Sequence, residues 1–206
     1  MEPPGIILSS MRLHKNTKHT YEAYAKIYDT YKGDRSDNIG QVSDLIEKYQ
    51  PDAVELLDLA CGTGAIAQGL VDRSTIVGVD NSQTMLEIAQ NKLPAMRFVH
   101  ANMINFNLHE TFDVVYCLHN SVNHLLSFGE WEEMFHNVAN HLRSGGIFIF
   151  DIATIEKLNE MIKHGLGIKQ VGKDYVATEV THDAKKRHCT TGAQKSFYIR
   201  SKIIFY

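Results

Sequence analysis

The segment that most constrains this chain of 206 residues is Leu57–Gly64, with the sequence LDLACGTG. An apolar strand passes there into a turn with two glycines, and a helix is predicted behind it over residues 65–71. Gly62 and Gly64 allow a sharp backbone turn and the close approach of a ligand, and Ala67 supplies a small residue where the helix packs. Because a helix N-terminus carries unpaired N–H groups and a partial positive charge, this unit is suited to bind an anionic group.

An acidic residue follows the next predicted strand, which covers residues 76–79. Asp80 lies 18 residues beyond Gly62, near the spacing of about 20 at which such a residue meets a ribose hydroxyl. The glycine turn alone is equally compatible with an ordinary strand–turn–helix junction. With Asp80, the pattern favours a pocket for a nucleoside-bearing cofactor.

Strands and helices alternate along most of the chain. Helices are predicted over 18–31 and 38–49; strands over 54–59, 76–79, 96–100, 112–118 and 147–151; and further helices over 65–71, 82–92, 131–142 and 155–164. This order predicts an α/β, Rossmann-like, doubly wound fold, whose mostly parallel sheet has helices on both faces. The ligand crevice is expected at the carboxyl ends of the strands. Segments 175–181 and 196–206 predict a late antiparallel strand pair without an intervening helix.

The length of the chain favours a single domain over 1–206. Within it we expect an N-terminal helical cap over 1–50, a Rossmann-like core over 51–165 and antiparallel strands over 166–206. The last segment is either a substrate flap or a truncated end. If it is truncated, an unpaired sheet edge favours a homodimer.

Composition narrows the functional classes. The net charge of −3 gives no general attraction to nucleic acid or to anionic membranes. Three cysteines without metal-ligand spacing are typical of a reduced, cytoplasmic protein, and no metal site is expected among the eleven histidines. No segment is long and apolar enough to predict a membrane span.

Five motifs in order resemble the class I S-adenosylmethionine (SAM)-dependent methyltransferases, over roughly residues 21–151. They are LDLACGTG at 57–64, VDNS at 79–82, ANM at 101–103, FDVVYCLHNSVNHL at 112–125 and LRSGGIFIFD at 142–151. Within this class, the chain is most similar to small-molecule N-methyltransferases. The pattern after the fourth strand resembles glycine and sarcosine methyltransferases, and residues 28–37 resemble amino-sugar N,N-dimethyltransferases.

The resemblance implies SAM as the cofactor and assigns residues to it. Ala60, Gly62 and Gly64 would contact the methionine part, and Asp80 would bind the ribose hydroxyls. The other implied cofactor contacts are Tyr21, Arg35, Asn81, Met85, Asn102, Met103 and Leu118. Of these, Arg35 would hold the SAM carboxylate and Asn102 the adenine amino group, whereas a merely solvated Arg35 and a turn-capping Asn102 are the alternatives.

Methyl transfer from SAM mainly requires an aligned nucleophile, exclusion of water and removal of a proton. Tyr28, His119 and His124 are the candidate catalytic residues for these tasks. Plain packing of Tyr28 and a structural role for either histidine are the alternatives. Asp151 would either meet a substrate amine or cap the helix that follows it.

A small-molecule acceptor, with an amine nitrogen as the methylated atom, is therefore expected. The segment after the fifth strand lacks the arginine with which glycine methyltransferases bind the substrate carboxylate, so glycine is not expected as the acceptor. Three other functions remain open: a nicotinamide-dependent oxidoreductase, a nucleic-acid or protein methyltransferase, and a non-catalytic SAM-binding module. The CGTG turn argues against the first, and the absence of an Asn/Asp-Pro-Pro-Tyr motif argues against the second.

Overall fold

The computed structural model describes residues 25–164, 167–172, 174–182 and 192–199. Its strands are β1 (Glu55–Leu59), β2 (Thr75–Asp80), β3 (Arg97–His100), β4 (Phe112–Cys117), β5 (Leu142–Phe150), β6 (Gly167–Val171), β7 (Asp174–His182) and β8 (Gly192–Ile199). Its α-helices are α1 (Tyr28–Lys32), α2 (Ser36–Tyr49), α3 (Gln83–Lys92), α4 (Phe128–Asn140) and α5 (Ile155–His164). Tyr21, a predicted cofactor contact, lies outside the described residues.

The first five strands form one parallel sheet in the order β3-β2-β1-β4-β5. This sheet confirms the predicted Rossmann-like α/β class. The order reverses between β1 and β4, so a crevice opens at their carboxyl ends, where parallel sheets of this type bind ligands. The glycine turn, Asp80 and the segment after β4 all lie at this edge.

Apolar clusters cover both faces of the sheet. One includes Leu57, Val79, Val115 and Met134, and the other includes Leu56, Ile76, Val114 and Tyr116. Alternate residues of the central strands therefore point to opposite faces, and both faces are buried. This explains the continuous apolar runs in their sequences.

The predicted first crossover helix over residues 65–71 is wrong. The segment contains only a short 3₁₀ helix, Ala67–Gly69, among turns. Its apolar residues are buried as a helix would bury them, but bonds such as Gly69 N–H to Ile66 O span three residues rather than four. A Cβ atom at Gly69 would lie 2.7 Å from the Ile39 side chain, so the segment is pressed closely against α2.

The last three strands form a separate antiparallel sheet in the order β6-β7-β8. The sequence predicted a late pair, and the structure has three strands instead. The unpredicted β6 forms a hairpin with β7, with Gly172 at positive φ in the turn. Residues 200–206, the end of the second predicted strand, lie outside the described part of the chain.

In the described part of the chain, no helix is both long enough and apolar enough to cross a membrane. The predicted division of the chain at residues 50 and 165 and the predicted homodimer stay predictions.

Candidate active site

Asp80 organises the glycine turn. Its carboxylate accepts the backbone N–H of Gly62 at 2.7 Å through one oxygen and that of Ser82 at 2.8 Å through the other. Gly62 and Gly64 have φ values of 54° and 70°, a region that glycine reaches at little cost. The carboxylate at the end of β2 thus fixes the turn after β1.

The environment of Asp80 opposes its ionisation. Burial raises the pKa of this carboxyl group, and the hydrogen bonds from Gly62 and Ser82 partly offset the effect. The oxygens retain lone pairs beyond those used by the backbone, so further hydroxyl donors can bind there. This geometry suits the predicted contact with a ribose.

Asp29 of α1 joins the N-terminal cap to the crevice. One of its oxygens accepts the Thr63 hydroxyl at 2.5 Å, and the other binds the Lys92 ammonium group of α3 at 2.6 Å. No role was predicted from the sequence for Asp29 or Thr63. Both residues fall within motifs noted above, residues 28–37 and 57–64, but no local pattern indicates that the two motifs contact each other.

Arg35 precedes α2 and is only 9% exposed. Its Nη1 lies 2.7 Å from His119 Nε2, and because arginine only donates, this histidine nitrogen is the acceptor. Desolvation, with the charges of Arg35 and Lys32, lowers the pKa of His119 to about 4. The neutral imidazole therefore orients the guanidinium group, while the Arg35 Nε has no hydrogen-bond partner among the described residues.

His119 and Asn120 form a turn directly after β4. Both have positive φ, at 62° and 59°, which is uncommon for residues with a side chain. Asp151, at the end of β5, accepts the N–H of His119 at 3.0 Å and that of Asn120 at 2.7 Å. Asp151 thus holds this turn instead of capping the next helix, where the Thr154 hydroxyl accepts the Lys157 N–H.

Tyr28 and His124 are the other two candidate catalytic residues. Burial raises the pKa of Tyr28, so its hydroxyl group stays protonated at neutral pH, and the Arg35 guanidinium carbon lies 5.7 Å from its ring centroid. His124 ends the short 3₁₀ helix Ser121–His124 and is exposed at the rim. Desolvation and the Lys32 charge lower its pKa, which favours the neutral imidazole.

The remaining predicted cofactor residues surround the ends of β1 to β4. Met85 is buried at the start of α3, where the Ser82 hydroxyl caps the helix as the sequence predicted. The Asn102 side-chain oxygen accepts the Ile104 N–H at 2.9 Å, which is the turn-capping alternative. The others are the exposed Asn81 and the half-buried Ala60, Met103 and Leu118.

Asp58 and Tyr116 lie side by side on β1 and β4 beneath the crevice. Burial raises the pKa of Asp58 to about 8, against the lowering effect of the Tyr116 hydroxyl group. Burial likewise raises the pKa values of Cys61 and Cys117, so these thiols are packing residues and not nucleophiles. Among the described residues, no cluster of His, Cys, Asp and Glu could hold a metal ion.

These residues fit the recognition of SAM. A glycine turn tied to an acidic residue suits the methionine and ribose parts, and the partnerless Nε of the buried Arg35 suits a carboxylate. A family model described as "Methyltransferase domain" matches residues 56–146. Over these residues the chain is similar to methyltransferases.

Two curated relatives are amino-sugar enzymes. The chain is 31% identical over 132 residues to dTDP-3-amino-3,6-dideoxy-alpha-D-glucopyranose N,N-dimethyltransferase of Streptomyces fradiae, covering 62% of this chain and 52% of the relative. It is 30% identical over 133 residues to dTDP-4-amino-2,3,4,6-tetradeoxy-D-glucose N,N-dimethyltransferase of Saccharopolyspora spinosa, covering 62% and 53%. The chain thus spans about half the length of these relatives.

A solved structure is also similar: SAM-bound CalS10 of Micromonospora echinaspora, an amino pentose methyltransferase of calicheamicin biosynthesis. It shares 27% identity and a TM-score of 0.65, covering 78% of this chain and 70% of that protein. This similarity confirms the predicted cofactor class and places the crevice of this chain in a SAM-binding fold.

Proposed function

We propose that this protein transfers the methyl group of SAM to an amine nitrogen of a small molecule, an amino sugar. The observation that carries the proposal is the Asp80–Gly62 turn facing a cap that bears Tyr28 and Arg35. The relatives named above, which act on dTDP-linked amino sugars and an amino pentose, support the amine as acceptor.

SAM supplies an electrophilic methyl group when it is bound. In this chain, Asp80 would hold the ribose and Arg35 the carboxylate of the amino-acid part. The Tyr28 hydroxyl, with its raised pKa, would orient the acceptor nitrogen by hydrogen bonding. His124, neutral at pH 7, would take the proton that the amine releases.

Calorimetric titration with SAM, and separately with NAD, is the first experiment. We expect micromolar binding of SAM and none of NAD. Methyl transfer to amino sugars would then be measured with labelled SAM. If SAM binds but no amine is methylated, the protein is a SAM-binding module and the proposed activity is wrong.

Exchange of Asp80 tests the cofactor site directly. In Asp80→Ala the glycine turn loses both its backbone anchor and the ribose acceptor, so we expect SAM affinity to fall at least tenfold, about 1.4 kcal/mol. Asp113→Ala is the matched control, because this carboxylate also accepts two backbone N–H groups, of Val54 and Glu55, but at the opposite edge of the sheet. Equal SAM affinity of wild type and Asp80→Ala would contradict the ribose role.

A further inference from the structure

Three cationic side chains, Lys32, Arg35 and Lys169, lie close together near the mouth of the crevice, and no acidic side chain pairs with them among the described residues. Lys32 and Lys169 lie over the ring of Tyr31, with their Nζ atoms 5.8 and 5.4 Å from its centroid. Lys32 and Arg35 both lie 5.7 Å from the centroid of Tyr28. Neither lysine takes part in an ion pair with any described residue.

Two carboxylates near Lys32 in the sequence, Asp29 and Asp34, are engaged by other groups. Asp29 binds Thr63 and Lys92, and Asp34 accepts the backbone N–H and the hydroxyl of Ser36. The closeness of these positive charges affects the ionisation of Lys32. Desolvation first, and then the charges of Arg35 and Lys169, lower the pKa of Lys32, although its side chain still reaches solvent.

Lys169 belongs to the late sheet and comes from a distant part of the chain. Its ammonium group donates to the backbone oxygen of Tyr31 at 2.5 Å, so β6 is held against α1. The three positive charges come from two separate segments and repel one another. A bound anion would offset this electrostatic repulsion. The Tyr28 and Tyr31 rings stabilise the cations only partly.

We infer that Lys32 and Lys169 bind an anionic group of the methyl acceptor, a phosphate or diphosphate, while the acceptor amine points inward to the crevice. The inference rests on the proposed function, since it assigns part of that acceptor. Arg35 lies deeper and is turned toward His119, so it is left for the cofactor carboxylate. Lysine ammonium groups suit phosphate as mobile point charges.

The test uses inorganic pyrophosphate as the probe and the protein saturated with S-adenosylhomocysteine, which fills the cofactor site. We expect calorimetry to show pyrophosphate binding to the wild type. The double variant Lys32→Gln/Lys169→Gln should bind it at least tenfold more weakly, while its affinity for SAM changes less than twofold. Lys48→Gln is the matched control, because Lys48 also lies over a tyrosine ring, that of Tyr49, but on α2.

Lys32→Arg/Lys169→Arg should restore most of the pyrophosphate affinity if charge is what matters, and it guards against a folding defect of the glutamine variant. Absence of pyrophosphate binding to the wild type, or equal binding by the glutamine variant, would overturn the inference. Citrate binding as tightly as pyrophosphate would overturn the phosphate assignment. Failure of SAM and S-adenosylhomocysteine to bind would instead overturn the proposed function, and pyrophosphate would then be titrated into the free protein.

Discussion

Arg35 is a charged side chain with a well-defined direction in the crevice. It is nearly buried, and its contact with a neutral His119 gives it a fixed direction. A lysine here would lose the planar fork of donors that lets arginine bind both His119 and a carboxylate. The pair therefore couples the turn after β4 to the start of α2.

The lowered pKa of His119 makes stability depend on pH. The unfolded chain binds a proton at His119 near pH 6.5, and the folded protein does so only near pH 4. Stability from this residue is therefore complete above pH 6.5 and is lost as the pH falls toward 4. Between pH 7 and pH 5 we expect the wild type to lose about 1–2 kcal/mol more of its free energy of unfolding than His119→Gln loses.

Urea unfolding of both proteins at pH 7 and pH 5 measures this difference. Glutamine is the chosen replacement because its side-chain oxygen can still accept from Arg35 but does not titrate in this range. The same pH dependence in both proteins would show that His119 takes up its proton as readily in the folded as in the unfolded state, and would contradict its lowered pKa beside Arg35.

At the scale of elements, β2 contains a glycine that its neighbours require. A Cβ atom at Gly78 would lie 2.6 Å from the Phe98 ring and 2.9 Å from the Cys61 sulfur. Gly78 therefore lets the ring of β3 lie flat over β2, next to the glycine turn.

Gly78→Ala should destabilise the protein by about 1–3 kcal/mol, because the half-buried Phe98 ring and the buried Cys61 must shift to accommodate the methyl group. Gly129→Ala is the control: Gly129 lies in α4 with no close neighbour at the Cβ position, so alanine should stabilise the protein by about 0.5–1 kcal/mol. Thermal unfolding followed by circular dichroism measures both. A Gly78→Ala variant as stable as the wild type would show that the sheet relaxes around the ring.

The secondary structure elements that the sequence predicted well are those that depend on the local pattern of apolar and turn residues. The five strands of the parallel sheet and the helix Ile155–His164 follow from apolar periodicity and from flanking turn residues. The prediction of a helix over residues 65–71 was wrong. The apolar spacing of this segment is helical, but its backbone conformation depends on the contact with Ile39. No local signal reports that contact.

In the candidate site, too, the features set by local sequence were predictable and the contacts between distant residues were not. The Ser82 cap and the position of Gly62 and Asp80 at one edge of the sheet follow from motif spacing, because these residues end or follow two neighbouring strands. The partnerships of Arg35 with His119, and of Asp151 with the turn after β4, join residues far apart in sequence. Only the strand order of the folded sheet brings them together.

At the scale of the whole molecule, Asp29 connects the cap, the glycine turn and α3. In Asp29→Ala both links are lost, so we expect the cap and the turn to open together and SAM affinity to fall about tenfold. Hydrogen exchange should rise in peptides covering 25–35 and 60–70 and stay unchanged in β4. Glu110→Ala is the control, since it removes an ion pair with Arg97 that lies away from the crevice. Exchange that rises in the cap alone would contradict the coupling.

The two bonds of the Asp29 carboxylate also have a consequence for the order of folding. They close loops of 34 and 63 residues in the chain, to Thr63 and to Lys92. Closing a long loop costs conformational entropy, so we expect each bond to form after the segments that its loop encloses have become ordered. We therefore expect the cap to dock on the crevice after the strands of the central sheet have assembled, so that the complete crevice exists only at the end of folding.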